Sequence, residues 1–280
     1  MKYGFVYPGG DARTAAQCAR EAEAAGWDGF FVWEPVWGVD AWVSLTAAAM
    51  RTKRIRLGTM VTPVSRRRPW KLASEMATLD RLSNGRVILS VGLGAIDTGF
   101  IQFGEETDRK TRAALLDEGL DIVTGLWRGQ PFAHEGKHYH VKETSFFPPP
   151  PPVQQPRIPI WVVGAWPRTK SMRRALRYDG LLPTKMTDDG QHVKVTPADI
   201  RAMKKFIAEQ RAETTPFDIV VEGVTSGTNR KKAAAKVKPF ANAGATWWIE
   251  ALWSLTETVW QAETQEKILE RIKQGPPREE

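Results

Sequence analysis

Ala77-Thr78-Leu79-Asp80-Arg81-Leu82-Ser83-Asn84-Gly85-Arg86 runs directly into Val87-Ile88-Leu89-Ser90-Val91-Gly92-Leu93-Gly94, and this joining of a helix to a buried strand sets the fold. Upstream, Leu72, Met76, Leu79 and Leu82 recur at helical spacing. Ser83-Asn84-Gly85 then supplies a stop at which glycine takes a positive φ without steric cost. Downstream comes an almost unbroken apolar run, the pattern of a parallel strand covered on both faces. In an α/β barrel the catalytic face lies at the C-terminal strand ends. Gly92 and Gly94 therefore predict either close approach of a flat ligand to the backbone or a tight turn into the next helix.

The same alternation extends to both ends of the chain. Strand patterns fall at Lys2 to Tyr7, Gly29 to Trp33, Ile55 to Val61, Val87 to Val91, Ile158 to Val163, Asp179 to Pro183, Phe217 to Val221 and Thr246 to Glu250. Helical patterns fall at Ala12 to Ala25, Trp42 to Thr52, Pro69 to Leu82, Arg112 to Trp127, Arg168 to Arg177, Pro197 to Arg211, Lys231 to Ala243 and Leu255 to Ile272. Eight such units imply right-handed crossovers and an α/β fold closed as a (β/α)8 TIM barrel. An open dinucleotide-binding sheet fits less well. Gly92-Leu93-Gly94-Ala95-Ile96-Asp97 puts Asp where the third fingerprint glycine belongs, and it follows the fourth strand rather than the first. Residues 1–280 read as a single barrel domain with an inserted segment at about 129–157, made of a hairpin from Gly129 to Val141 and a stiff connector at Pro148 to Pro152.

Composition narrows the class. At 42% hydrophobic residues the chain can bury a large core, and no apolar run approaches the roughly 20 residues that cross a bilayer; a cytoplasmic protein without membrane contact is expected. The single cysteine, Cys18, excludes an internal disulfide and a cysteine-based zinc site. Net charge is +8, but the basic runs Arg66-Arg67-Arg68, Arg173-Arg174 and Arg230-Lys231-Lys232 carry no nucleic-acid-binding signature, so no nucleic-acid partner is expected. His138 and His140 would share one face of the inserted hairpin near His134, a geometry open to a metal. Exposed hairpin residues are the favoured reading, and no metal is expected. Among the 12 tryptophans, Trp33, Trp37, Trp42 and Trp166 lie near loop ends and suit aromatic walls. Trp27, Trp127, Trp161, Trp247, Trp248 and Trp253 read as core.

Several blocks together resemble the bacterial luciferase-like family of flavin-dependent monooxygenases and oxidoreductases. They are Ile55-Arg56-Leu57-Gly58-Thr59-Met60-Val61-Thr62-Pro63, Arg68-Pro69-Trp70-Lys71-Leu72-Ala73, Ala77 to Gly94, Phe103-Gly104, Leu116-Asp117-Glu118-Gly119-Leu120, Pro159-Ile160-Trp161-Val162-Val163-Gly164 and Tyr178-Asp179-Gly180, in order from about residue 2 to residue 250. The resemblance implies the same barrel, with reduced FMN or, in one branch, the deazaflavin coenzyme F420 in the cleft at the strand ends. It implies a non-proline cis peptide between Met60 and Val61 supporting the cofactor ring. The cofactor phosphate would sit at the loop Gly164-Ala165-Trp166-Pro167-Arg168-Thr169-Lys170-Ser171. Free N–H groups at a helix start, a guanidinium and a hydroxyl suit a phosphate dianion, which singles out Arg168 and Thr169.

The expected cofactor site is thus Met60, Val61, Gly92, Gly94, Gly164, Ala165, Trp166, Arg168 and Thr169, with FMN favoured and coenzyme F420 as the alternative. Two departures from the family pattern matter. Leu93 stands where some FMN-binding members carry Arg, and Trp33-Glu34-Pro35 stands where many relatives have Asp-His. Pro35 cannot supply an imidazole, which leaves Glu34 as the candidate acid or base, or else a structural carboxylate. The implied activity is oxygenation of a small organic substrate by reduced FMN and O2, with a separate flavin reductase as a partner. The alternatives are hydride transfer with coenzyme F420 or non-catalytic flavin binding. A homodimer is expected, with Trp42, Met50 and Trp70 on the second and third helices as candidate contacts. Residues 95–110 and 184–196 are candidate lids.

Overall fold

A computed structural model describes residues 1–145, 149–187 and 189–278. Pro148 of the proline stretch, Phe146 and Phe147 of the connector, and Asp188 of the 184–196 segment lie outside the described residues.

In chain order the elements are β1 (Lys2–Tyr7), α1 (Ala12–Ala24), β2 (Gly29–Val32), α2 (Ala41–Arg51), β3 (Arg56–Thr59), the two-residue β4 (Thr62–Pro63), α3 (Pro69–Ser83), β5 (Val87–Gly92) and α4 (Arg109–Arg128). There follow β6 (Phe132–Glu135), β7 (His140–Thr144), β8 (Ile160–Trp166), α5 (Thr169–Leu176), β9 (Gly180–Met186), the two-residue β10 (His192–Val193), α6 (Pro197–Gln210), β11 (Asp218–Gly223), α7 (Arg230–Ala243), β12 (Trp247–Ala251) and α8 (Ala262–Lys273). β1, β2, β3, β5, β8, β9, β11 and β12 pair in parallel in that order, and β12 pairs back onto β1. The sheet is a closed eight-stranded barrel ringed by helices, a TIM barrel.

The stretch that sets the fold acts as a fastener at the base of this barrel. Asn84 caps α3 in the left-handed conformation at φ 57°, and Gly85 N–H donates to Asp80 O at 2.8 Å. The fully buried Asp80 carboxylate accepts from Val153 N–H at 2.8 Å, Gln154 N–H at 3.0 Å and the Gln154 amide at 2.7 Å, tying the connector to the helix. Arg86, 7% exposed, donates to the Thr52 hydroxyl and to the carbonyls of Ala49, Thr52, Ile55 and Ser83. A buried guanidinium is tolerated because its donors are used in this way.

Inside the barrel, Phe31, Trp161 and Trp247 pack against one another, Trp247 edge-on to the other two, with ring centroids 5.1 to 6.2 Å apart. Small neighbours make room for them: a Cβ on Gly29 would lie 2.7 Å from Phe31 and 3.0 Å from Trp247. The aromatic plug closes the lower half, and the C-terminal half stays open.

Several boundaries differ from the sequence reading. The predicted helix Leu255 to Ile272 divides into a 3-10 turn at Trp253–Thr258 and α8. The sixth barrel strand runs on to Met186 and pairs antiparallel with β10, an extension that local periodicity did not signal. In the hairpin, His138 sits in the turn rather than on a strand with His140, so the two do not share a face. His140 Nδ1 instead lies 2.7 Å from Glu135 Oε1. No helix among the described residues is long and apolar enough to cross a membrane.

Candidate active site

A cavity of about 1230 Å³ opens at the C-terminal strand ends, at the mouth where TIM-barrel enzymes place their chemistry. Its floor is apolar: Met60, Val61, Gly92, Val163 and Pro63 line it, and the Met60–Val61 peptide is cis. The segment that follows β3, together with β4, β5 and β8, delivers these residues side by side. A Cβ on Gly92 would come within 2.9 Å of Val163 Cγ2 and 3.1 Å of Val61 Cγ2, so only glycine keeps the floor flat.

The rim on the α4 and α5 side is cationic. Arg109, Lys110, Arg112, Arg168, Lys170 and Arg174 all line the cavity. Arg174 is engaged by Asp117 through two hydrogen bonds at 2.5 and 2.8 Å. Arg112 donates to the carbonyls of Leu93 and Gly94 at 2.8 and 3.1 Å and lies 5.5 Å from the Phe100 ring, while its buried Nε has no partner. A cation thus reaches the Gly92-Leu93-Gly94 turn from α4, although Leu93 itself carries none. The side chains of Arg168 and Lys170 make no hydrogen bond or ion pair among the described residues.

Glu34 follows β2 and is 8% exposed. Its Oε2 accepts from the Thr62 hydroxyl at 2.6 Å, and the Thr62 and Thr59 hydroxyls are 2.8 Å apart. Arg66 and Arg67 approach its Oε1 at 3.7 and 3.8 Å. Burial raises the carboxyl above the ordinary carboxylate range, against the pull of Arg67, the Thr62 hydroxyl and Arg66. The predicted acid is therefore satisfied by a hydroxyl chain and two guanidinium groups rather than by backbone N–H groups.

Of the residues singled out from the sequence, Glu34, Met60, Val61, Gly92, Gly94, Ala165 and Arg168 line this one cavity. Gly164, Trp166 and Thr169 do not. Gly164 turns outward, where a Cβ would meet Met172 Sδ at 3.0 Å and Leu181; Trp166 packs edge-on to Phe206 at 6.1 Å; Thr169 is exposed at the start of α5. Of the predicted aromatic walls, Trp33 lines the cavity, but Trp42 is 6% exposed in the core and is unavailable as a subunit contact. Conversely Trp253, read as core, is 37% exposed and lines the cavity. Sequence reading missed Ser171, whose hydroxyl accepts from Ala165 N–H at 3.0 Å, and His192, whose Nδ1 is 2.9 Å from the Thr184 hydroxyl. Both line the cavity. Ser171 carried a signal in its place on the helix after the phosphate loop, whereas His192 depends on the unforeseen β10 ribbon.

The sequence model described as luciferase-like monooxygenase matches residues 4–278. The F420-dependent glucose-6-phosphate dehydrogenase of Amycolatopsis mediterranei is 26% identical over 290 residues, covering 83% of this chain and 86% of that one. The oxygenase component of the flavin-dependent trigonelline monooxygenase of Acinetobacter baylyi is 31% identical over 127 residues, 45% of this chain and 34% of that one. Among solved structures, the coenzyme F420-dependent tetrahydromethanopterin reductase of Methanopyrus kandleri superposes with a TM-score of 0.76 at 18% identity, covering 98% of both chains. That likeness concerns the fold.

Proposed function

The chain belongs to the luciferase-like monooxygenase family and is an oxidoreductase, and we propose that it exchanges hydride between the deazaflavin coenzyme F420 and a small organic substrate. The observation that carries this reading is the division of the cavity into an apolar floor and a rim of six Lys and Arg side chains. F420 joins a planar ring to a tail holding a phosphodiester and several carboxylates, more anionic charge than the single phosphate of FMN, and the breadth of the rim supports that match. A relative that aligns over 83% of this chain and 86% of its own also bears an F420-dependent name.

In this reading Met60, Val61 and Gly92 carry the ring, and Arg168, Lys170, Ser171 and Arg112 hold the tail. The bound deazaflavin supplies the hydride acceptor or donor, since such redox chemistry belongs to the cofactor. The chain's own part is to orient the two reactants on a dry floor and to hold a proton. Glu34, buried in the cavity wall with its affinity for a proton raised by that burial, is placed to take up or release one there.

A second reading retains reduced FMN and O2 as oxygenating reagents, with a separate reductase as partner. It is favoured by the free Arg168 guanidinium beside the start of α5, which alone suffices for one terminal phosphate. Anaerobic titration of the purified chain with coenzyme F420 and, separately, with reduced FMN tests the choice. Tight binding of coenzyme F420 alone is expected; tight binding of FMN alone overturns the proposal.

A further inference from the structure

A second, smaller pocket of about 140 Å³ adjoins the cavity, bounded by the ends of β1 and β2, the start of α2 and the 3-10 turn after β12. Trp33 and Thr256 line both spaces, so the two share a wall. The rim cations belong to α4, α5 and the turn before α5. Among the described residues no charged side chain lines the smaller pocket.

Two of its walls are Trp37 and Trp260, 81% and 69% exposed, more than any other tryptophan of the chain. Indoles so placed leave a large apolar surface in water unless a ligand covers it. Trp37, which the sequence marks as an aromatic wall, packs against the Phe103 ring at 6.4 Å between centroids.

The polar groups of the wall are already engaged within the protein. The Tyr7 hydroxyl donates to Gln265 Oε1 at 2.7 Å, the Ser44 hydroxyl to the Asp40 carbonyl at 2.8 Å and the Thr256 hydroxyl to the Trp253 carbonyl at 2.8 Å. The Gly9 carbonyl accepts from the Gln265 amide at 3.1 Å. A well-held water needs about two to four polar partners, whereas an apolar space of about 150 Å³ admits benzene. Val32 and Val259 add aliphatic contact to the aromatic walls.

We propose that this pocket is a binding subsite for one uncharged, benzene-sized aromatic ring, the remote end of a substrate whose reacting end lies in the main cavity. The ring packs among Trp33, Trp37 and Trp260, and the chain joining it to the reacting group passes Trp33 and Thr256. The ring site stands by itself; the assignment of the reacting end rests on the redox reading of the cavity.

Fluorine NMR of fluorobenzene with the cofactor-free protein tests the ring site, and one saturable site is expected. Trp37→Ala and Trp260→Ala should each weaken it by about 2-fold to 10-fold, Trp37→Phe should retain it, and Gly92→Ala in the cavity floor should leave it unchanged. Both tryptophans are exposed, so the alanine variants should melt at the wild-type temperature, which separates loss of a wall from loss of the fold. Displacement of fluorobenzene by toluene, ethylbenzene and n-propylbenzene tests the passage: affinity should rise by about 4-fold for each added CH2 that enters the cavity. Fluorobenzene binding that ignores both tryptophans, or that Gly92→Ala abolishes, puts the ring elsewhere and overturns the assignment. An affinity that does not grow along the series overturns the link to the cavity. Self-association that is lost in the alanine variants, without fluorobenzene binding, makes the tryptophans a contact between copies and also overturns it. None of these readouts needs cofactor, so failure here is distinct from failure to bind coenzyme F420.

Discussion

The Thr62 hydroxyl donates a 2.6 Å hydrogen bond to the buried Glu34 carboxylate, linking the segment after β3 to the end of β2 across the wall of the cavity. Thr62 is fully buried and Thr59 continues the chain of hydroxyls inward at 2.8 Å. The three residues form one polar network in an otherwise apolar wall, where an unpaired member is costly.

Thr62→Val keeps the shape and removes the donor. Loss of a hydrogen bond to a buried carboxylate is expected to cost about 1–3 kcal/mol, read as a lower urea midpoint with unchanged slope. A midpoint equal to that of the wild type would show that the Glu34 carboxylate does not depend on this hydroxyl.

Glu34 also makes stability depend on pH. Burial raises its carboxyl, so the folded chain binds this proton more tightly than the unfolded chain does. The resulting stabilisation is complete below the ordinary glutamate range and is lost as pH climbs through the raised value. Glu34→Gln removes the titration, so wild-type Tm minus variant Tm should fall between acid and neutral pH. A difference that stays flat or grows with pH contradicts this.

The unengaged cations at the start of α5 predict a salt-sensitive site. Arg168→Ala and Lys170→Ala should each weaken coenzyme binding by about 10-fold to 100-fold, the equivalent of about 1.5–3 kcal/mol for a charge-assisted contact. Wild-type affinity should fall as salt is raised, and more steeply than in either variant. Calorimetric titration at two ionic strengths checks both; equal salt slopes in all three proteins would remove these side chains from the anion site.

Gly92→Ala tests the floor. Its new Cβ would press on Val163 Cγ2 at 2.9 Å and Val61 Cγ2 at 3.1 Å, and overpacking of that degree typically costs about 1–3 kcal/mol. A lower Tm together with weaker coenzyme binding is expected. Full stability with full affinity would mean that the floor yields freely and does not define the ring's seat.

Much of this molecule is written locally. The spacing of Leu72, Met76 and Leu79, the left-handed stop at Asn84 and the apolar run from Val87 each follow from the periodicity or backbone freedom of a few neighbouring residues, and eight repeats of that pattern favour a closed parallel ring over an open sheet. Gly92 at the floor was legible for the same reason, since strand ends in a TIM barrel point to its mouth, whereas Met60 and Val61 were singled out by the family resemblance. The rest was decided by contacts between residues distant in sequence. Strand parity alone does not reveal that Trp253, in the turn after the last strand, hydrogen-bonds to Glu222 31 positions earlier. Nor does a phosphate-loop motif reveal that Gly164, Trp166 and Thr169 lie off the cavity while Ser171 lines it. A local pattern fixes which face a side chain takes, but whether that face meets a neighbouring helix or open cavity depends on how the surrounding units pack.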